Sequence, residues 1–243
     1  MSDDIINDIL NITGIKKWFK KYYKFLIVFL LYIMYQLGFV YLLLDQFGID
    51  ISKISKTPRI FLFTFCDLIY VIILLLMFKN EIIRGLKNLK KNFLTQAITS
   101  LQCWILGCLI MGISSIIIGF ILKQDVSTNE QLVRDNIKLA PLYMLFTCSI
   151  VAPIFEELVF RRSIRAFIKY KWLYIIISGF GFGLLHVIGN YTTPFDFLYV
   201  IPYGAMGSCF AYLFCKTDNI TLPIIIHMMH NTILVLSQII GGK

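Results

Sequence analysis

Seven apolar runs, each close to the length that crosses a lipid bilayer, dominate this sequence. They cover residues 25–44, 60–78, 101–122, 139–159, 173–189, 197–215 and 222–240. The hydrocarbon core of a bilayer is ~30 Å thick, so a spanning α-helix needs about 20 predominantly apolar residues. A mean hydropathy of +0.77, with only 15% charged residues, excludes an ordinary soluble domain. The sequence therefore predicts an all-α, polytopic membrane helix bundle of about seven transmembrane helices.

The N-terminus differs from the spans that follow it. Four isoleucines recur at helical spacing after an acidic start: Ile5, Ile6, Ile9 and Ile12. This pattern is typical of an amphipathic helix on the membrane surface, and the acidic start is unlike a cleavable signal peptide. We therefore expect a short N-terminal amphipathic helix, with a disordered tail as the alternative. Little chain is left for a soluble domain, so residues 1–243 form a single membrane-embedded domain.

The basic residues predict how the helices are oriented. Lys and Arg cluster before the first span (16–24), between the second and third (79–91) and between the fourth and fifth (161–171). Cytoplasmic loops carry such an excess, so we expect a multi-pass protein of the plasma membrane with a cytoplasmic N-terminus. The net charge of +9 lies largely in these juxtamembrane segments. It favours contact with anionic lipid headgroups and gives no sign of nucleic-acid binding.

Ionisable groups inside the apolar runs are the functional candidates, because each costs about 2.5–3.5 kcal/mol at membrane depth. The first motif is "EELVFR", residues 156–161. On a helix Glu157 and Arg161 share a face, while Glu156 points about 100° away. One carboxylate can then pair with the guanidinium while the other faces elsewhere. A simple interfacial ion pair is the alternative interpretation.

The second motif is "GFGFGLLH", residues 179–186. Phe182 and His186 are four residues apart, so the ring and the imidazole lie on one helical face. The glycines of this motif permit a neighbouring helix to approach closely, and Gly204 and Ser208 are expected to pack in the same way. A packed histidine bonded to a backbone carbonyl is the alternative.

The third motif is "HMMHN", residues 227–231. His227 and Asn231 face the same way on a helix, and His230 lies close to that face. An imidazole and a carboxamide aimed at one point can donate hydrogen bonds to a developing oxyanion. Interhelical hydrogen bonding without chemistry is the alternative. Asp67 is the remaining buried acid, and we expect it to line a cavity or to receive a hydrogen bond.

Together, EExxxR, FxxxH and HxxxN, in this order and within apolar runs, resemble the CPBP family. This family comprises CAAX prenyl endopeptidases and bacteriocin-processing or bacteriocin-immunity proteins, and is also called the Abi family. The resemblance covers residues 139–240, which would form the catalytic core, whereas residues 1–138 match only as N-terminal spans. No GxSxG serine motif and no GxGD aspartyl motif accompanies the set.

The resemblance implies a glutamate-dependent intramembrane protease. Glu156 would be the general base that takes a proton from water, and His186 would help to hold that water. Arg161 would keep Glu157 ionised and fix the end of the helix. His227 and Asn231 would stabilise the tetrahedral oxyanion.

Two further residues fall near these motifs. Phe182 would pack against the site, and His230 is a candidate for substrate binding or packing. A metal is the competing arrangement, because a catalytic zinc takes three protein ligands and a water. If a divalent metal such as zinc is used, Glu156, His186 and His227 would hold it. HExxH is absent, so we favour no metal and no other cofactor.

Two classes of function remain. The first is an intramembrane endopeptidase that cleaves a peptide or a membrane-associated protein precursor. The second is a non-proteolytic scaffold, immunity or regulatory protein that binds a partner such as a sensor kinase. The completeness of the three motifs favours the protease. Either class implies a peptide or membrane-protein partner and a lipid bilayer, and a homo-oligomer stays open.

The depth of the residues in the membrane poses a problem for this site. If the fourth span ends near residue 160, Glu156 lies at the membrane face. His186, fifteen residues beyond Lys171, would lie about 22 Å deeper at 1.5 Å per residue. Either the glutamate-bearing helix continues past Arg161, or the fifth span begins later than residue 173. An interfacial belt at Lys171, Trp172 and Tyr174 favours the later start.

Overall fold

The computed structural model of the protein describes residues 3–241, with side chains from residue 13 onward. Within that part of the chain the regular elements are all helical, which confirms the predicted all-α class. The longer helices are α1 (Asp3–Gln36), α2 (Phe39–Gln46), α3 (Lys56–Lys91), α4 (Phe93–Leu122), α5 (Thr128–Leu139), α6 (Pro141–Phe167), α7 (Lys171–Ile188), α8 (Val200–Thr217) and α9 (Thr221–Gly241). Short 3₁₀ turns occupy Ile51–Lys53 and Pro194–Tyr199.

In the part of the chain that the structure describes, six helices are long and apolar enough to cross a membrane, and a bent pair brings the number to seven if it counts as one span. The six are α3, α4, α6, α7, α9 and the stretch Pro194–Thr217 that contains α8. These helices make the chain a multi-pass membrane protein. Their apolar side chains cover much of the outer surface, as a lipid environment requires.

The predicted first span, residues 25–44, is not a straight helix. α1 ends at Gln36, and α2 begins at Phe39 with its axis turned by 68°. Gly38 lies at the bend with φ of +64°, a left-handed conformation that glycine adopts without steric cost. The break between α1 and α2 therefore follows from the conformation of Gly38, which the hydropathy pattern does not predict.

The predicted short N-terminal helix is also corrected. α1 runs without interruption from Asp3 through the basic segment into the apolar one. The isoleucine face proposed for a surface helix lies outside the residues whose side chains are described. The expected junction between a surface helix and the first span is therefore continuous helix.

α6 contains two π-helical segments, Thr147–Val151 and Glu157–Ser163. A wider π-helical turn leaves backbone carbonyls displaced, and in lipid each must find another donor. Three side chains donate to carbonyls of the second segment. Ser163 Oγ donates to Leu158 O (2.8 Å), Ser178 Oγ to Phe160 O (2.7 Å), and Tyr174 Oη to Arg161 O (3.2 Å).

The helix boundaries show how Glu156 and His186 come to similar depths, and the later start of the fifth span that the sequence favoured is wrong. α7 does begin at Lys171, so its start is not delayed. Instead α6 continues past Arg161 to Phe167, which places Glu156 about 16 Å from that end at 1.5 Å per residue. Arg162, in this extension, forms an ion pair with Glu81 of α3. The glutamates therefore lie inside the bundle, not at its face.

α7 and α8 pack closely because small residues line their contact. A Cβ on Gly183 would lie 2.8 Å from the backbone nitrogen of Gly204, and one on Gly179 would lie 2.8 Å from Gly204 O. The predicted small-residue packing is confirmed at these positions. Close contact between α7 and α8 brings Phe182 against the residues of α6 that carry the ionisable groups.

Candidate active site

Glu157 and Arg161 form an ion pair at the centre of the bundle. Arg161 Nε lies 3.0 Å from Glu157 Oε2, and both side chains are 0% exposed. The pairing predicted from their spacing is confirmed. At this depth two unlike charges must neutralise each other, because each alone would carry a large desolvation cost.

The arginine has few hydrogen bonds of its own. Its Nη2 donates to Gly207 O at 3.2 Å, while Nε and Nη1 have no hydrogen-bond partner. The guanidinium carbon lies 4.4 Å from the centre of the Phe182 ring and 5.6 Å from that of Phe210. Arg161 is therefore held between aromatic rings, whose faces attract a desolvated cation.

Glu156 is the unpaired member of the glutamate pair. Its Oε2 is buried and accepts no hydrogen bond, although the side chain as a whole is 12% exposed. His227 Nε2 lies 3.8 Å from Glu156 Oε2, which is beyond hydrogen-bond length. Adjacent carboxylates thus have different surroundings, one fixed by an arginine and one free.

His227 lies between the two carboxylates. Its Nδ1 is 2.8 Å from Glu157 Oε1. A carboxylate paired with an arginine can only accept, so Nδ1 carries the hydrogen and donates it. Nε2 is left facing Glu156. Phe210 packs 5.2 Å from the imidazole, between ring centres, and the side chain of His227 is buried.

Among the described residues, His186 makes no hydrogen bond or ion pair with either glutamate, and its contacts are with Phe182 and Tyr203. Its Nδ1 donates to Phe182 O at 2.9 Å, which leaves Nε2 as the acceptor nitrogen. The ring stacks on Tyr203, with centres 4.6 Å apart. Phe182 lies 4.5 Å from His186 and 5.7 Å from His227, between ring centres. The two imidazoles therefore share one aromatic neighbour.

Asn231 is tied to the first π-helical segment of α6. Its Nδ2 donates to Cys148 O at 2.8 Å. In the π-helical pattern, where Ala152 N–H donates to Thr147 O, the donor for Cys148 O would be residue 153. Pro153 has no N–H, so the asparagine replaces the missing backbone donor. The other amide hydrogen of Asn231 remains for a ligand.

His230 faces a different helix from His227. Trp104 Nε1 of α4 donates to His230 Nδ1 at 3.2 Å, and Cys108 Sγ lies 3.9 Å from the same nitrogen. The structure gives His230 no contact with either glutamate. Its neighbours are those of a packing residue on the α4 side of the bundle.

A metal does not fit the described residues well. No group of three or more His, Cys, Asp and Glu among residues 13–241 has the geometry of a metal site. Within the set Glu156, His186 and His227, Glu156 Oε2 and His227 Nε2 lie 3.8 Å apart, and His186 forms no ion-pair contact with Glu156 among the described residues. No step in the chemistry below therefore uses a metal.

Several neighbours of the site were not predicted from the sequence. They are Gly207 and Phe210, which contact Arg161, Tyr203, which stacks on His186, and Cys148, whose carbonyl receives Asn231. The segment "YGAMGS", residues 203–208, was interpreted only as helix packing. Small residues in this segment were expected to pack against a neighbouring helix. Tyr203 adjoins one of them, Gly204, and this is the sequence signal that could have pointed to it.

Asp67 belongs to a separate cavity of about 510 Å³. It lines this cavity and accepts hydrogen bonds from Tyr143 and Thr147, each 3.2 Å long, as expected for a buried acid. Phe155, next to Glu156, stacks on Tyr35, which lines the same cavity, with ring centres 5.0 Å apart. Neither glutamate lines this cavity, and Phe155 packs against its wall.

Residues 138–233 match the family model described as type II CAAX prenyl endopeptidase Rce1-like. The resemblance inferred from the three motifs is confirmed for this part of the chain, which contains all of them. No solved structure is significantly similar to the protein.

Three curated proteins are similar to the chain. YdiL of Bacillus subtilis, named as a membrane peptidase, is 36% identical over 116 residues, which are 46% of this chain and 44% of YdiL. The membrane-embedded CAAX protease MroQ of Staphylococcus aureus is 28% identical over 153 residues, or 57% and 58% of the two chains. The UPF0177 protein YbdI of Lactococcus lactis is 25% identical over 185 residues, or 72% and 96%. The match thus spans about half the length of the first two relatives.

Proposed function

We propose that the protein is an intramembrane endopeptidase in which Glu156 activates the attacking water. The observation that carries the proposal is the unequal environment of two adjacent carboxylates. Glu157 is held by Arg161 and His227, whereas Oε2 of Glu156 is buried without a hydrogen-bond partner. A free carboxylate beside an imidazole is the arrangement that general-base catalysis requires. The similarity to CAAX-type proteases supports the same reaction class.

The reaction begins with water bound to Glu156. The carboxylate takes a proton from the water, and the oxygen forms a bond to the carbonyl carbon of the scissile peptide. The carbonyl π electrons move to its oxygen, which becomes the oxyanion. Glu156 then gives its proton to the leaving nitrogen as the C–N bond breaks. A carboxylic acid and an amine are released, and Glu156 returns to its ionised form.

Two donors are available for the oxyanion. His227 already donates Nδ1–H to Glu157, so a second donor at Nε2 requires the doubly protonated ring. Asn231 has one amide hydrogen that is not committed to Cys148 O. Preorganised donors of this kind contribute about 2.7–4 kcal/mol each when they meet the oxyanion. In this mechanism His186 orients the water through Nε2, the ring nitrogen that Phe182 O does not occupy.

The substrate is a peptide or a membrane-associated protein precursor. The curated relatives named as a membrane peptidase and a CAAX protease suggest a peptide bond close to the membrane surface. We place the protein in the plasma membrane with the N-terminus in the cytoplasm, because the basic clusters lie at alternate loops. A homo-oligomer is compatible with this function but is not required by it.

The proposal is tested with Glu156→Gln in purified protein reconstituted in lipid nanodiscs. Quantitative peptidomics of membranes with and without the wild-type enzyme would identify a cleaved peptide for the assay. We expect Glu156→Gln to lower kcat by about 10²–10⁴-fold, because the general base is lost. Thermal unfolding should be almost unchanged, since the carboxylate oxygen that is lost has no hydrogen-bond partner.

Glu130→Gln is the matched control. Glu130 forms an ion pair with Arg134 on α5, and both side chains are about one third exposed, so its loss should leave cleavage unaffected. If Glu156→Gln retains wild-type cleavage while properly folded, Glu156 is not the base. If the wild type cleaves no peptide but a partner protein still binds, a non-proteolytic scaffold explains the family resemblance better.

A further inference from the structure

A small cavity with polar groups in its wall lies beside His186. Its volume is about 10 Å³, close to the space that one water molecule occupies. The walls come from the start of α5, the end of α7 and the 3₁₀ turn that precedes α8. The lining residues used below are His186, Val187, Asn129, Asn190, Asp196 and Tyr199.

Two buried polar atoms at this cavity have no hydrogen-bond partner. Asp196 is 2% exposed, and although its Oδ2 accepts from the Thr192 and Thr193 backbone, its Oδ1 accepts nothing. Gln124 lies near Asp196 but does not meet hydrogen-bond geometry. Tyr199 is 3% exposed, and its hydroxyl has no partner. Unpaired buried oxygens of this kind are costly unless water satisfies them.

His186 supplies a third polar group at the cavity wall. Nδ1 is committed to Phe182 O, so Nε2 carries a lone pair, and no hydrogen bond to Nε2 occurs among the described residues. A water molecule needs two to four polar partners, and this cavity offers a carboxylate, a hydroxyl and an imidazole at its wall. The polar wall continues through Asn129, which accepts from Asn190 Nδ2 at 3.1 Å.

We infer that this cavity binds a single water molecule that reaches His186 and replenishes the water consumed at Glu156. The inference rests on the proposed function, because hydrolysis inside a bundle surrounded by lipid needs a route for water. The cavity lies at the exposed end of α7, where Tyr191 and Thr192 face the outside. Water entering there meets polar groups up to His186, the residue that orients the attacking water in the proposed mechanism.

The test uses Val187→Leu, which adds one methylene group to the cavity wall. The chain has three histidines, so selective ¹⁵N-histidine labelling gives ring signals for three residues. Transfer of magnetisation from water to these rings reports water contact without any need for cleavage. We expect the wild type to show transfer at His186 and none at His230, whose Nδ1 is bonded to Trp104.

In Val187→Leu, transfer at His186 should disappear, and kcat should fall about tenfold while KM stays within about twofold. Tyr199→Phe removes one polar partner of the water without adding volume. It should partly reduce both the magnetisation transfer at His186 and kcat. Val71→Leu makes the same exchange in the main core, where Val71 is 7% exposed, and should preserve both. Thermal unfolding of each variant identifies any general loss of structure.

The failure of this inference can be distinguished from the failure of the proposed function. If the wild type hydrolyses peptide but His186 shows no water contact, the cavity is not the water site. The same holds if both Val187→Leu and Tyr199→Phe keep the water signal and kcat. If water contact at His186 depends on Val187 but no peptide is cleaved, the water site stands and the peptidase proposal is overturned.

Discussion

His227 Nδ1 lies 2.8 Å from Glu157 Oε1, and this contact joins the last helix of the bundle to the second π-helical segment of α6. Because Glu157 is also paired with Arg161, the imidazole is oriented by a carboxylate that is itself fixed. The neighbouring Glu156 remains unpaired. Two consecutive residues of one helix thus have a paired and an unpaired carboxylate, and the proposed mechanism gives the chemistry to the unpaired one.

Removing the buried cation alone should lower the free energy of unfolding more than removing both members of the ion pair. Arg161→Met leaves Glu157 as an uncompensated charge with both groups 0% exposed in the wild type, which should cost about 3–5 kcal/mol. Glu157→Leu combined with Arg161→Met should recover most of that loss, because no charge stays buried. Thermal or denaturant unfolding in detergent micelles measures both.

Arg134→Met is the control for the arginine change, since Arg134 and Glu130 are each about one third exposed. Its effect on stability should be small. A double variant that is no more stable than Arg161→Met would show that the pair contributes through its contacts with Phe182 and Gly207 rather than through charge compensation.

Asn231 and Pro153 should be energetically coupled through Cys148 O. Asn231→Ala leaves that carbonyl without its donor and should cost about 1–3 kcal/mol. Pro153→Ala restores a backbone N–H that can donate to the same segment. In a double-mutant cycle, Asn231→Ala should therefore be less costly in the Pro153→Ala background, by about 1 kcal/mol.

Unfolding free energies of the four proteins in the cycle provide the measurement, independent of peptide cleavage. Thr232→Ala serves as a neighbour control, because Thr232 Oγ1 donates only within its own helix, to Met228 O. Strict additivity of Asn231→Ala and Pro153→Ala would mean that the asparagine does not replace the missing donor.

Gly183→Ala should separate α7 from α8. Its Cβ would lie 2.8 Å from Gly204 N, a backbone atom that cannot move without shifting the helix. We expect a loss of about 1–3 kcal/mol in unfolding free energy, and weaker peptide cleavage because Phe182 moves with α7. Gly112→Ala in α4, with nothing within 4 Å of its Cβ, should be neutral or slightly stabilising. Equal stabilities of the two variants would contradict the close packing.

The orientation of the helices predicts which loops face the cytoplasm. In a variant without the six native cysteines, we expect a cysteine at Lys169 to be protected from a membrane-impermeant maleimide in intact cells. A cysteine at Asn190, near the other end of α7, should be labelled. Labelling of both positions in lysed cells confirms that each is accessible. The reverse pattern would place the N-terminus outside.

Much of the fold follows from hydropathy, because a bilayer admits few alternatives to the helix. Runs such as 60–78 and 101–122 lie within the helices α3 and α4. The ion pair between Glu157 and Arg161 also follows from spacing. Hydropathy does not report backbone conformation, so it does not predict the break at Gly38, and it leaves the continuation of α6 past Arg161 as one of two alternatives.

The site was predictable as a set of residues but not as an arrangement. Motif spacing places His227 and Asn231 on one face of a helix, and the structure directs one to Glu157 and the other to Cys148 O. That difference arises from Pro153, whose effect on a π-helical carbonyl cannot be read from periodicity. The separation of His230 from the glutamates likewise depends on Trp104, which is distant in sequence.

The segment Glu157–Ser163 makes the ion pair of the site depend on chain length. A π-helical turn behaves as an α-helical turn with one residue added. Deleting a single apolar residue there, such as Val159, would restore regular winding and leave the helix beyond it close to its present orientation, because the wide turn absorbs one residue. The spacing between Glu157 and Arg161 would fall from four residues to three, so the buried ion pair, and not the axis of α6, would change.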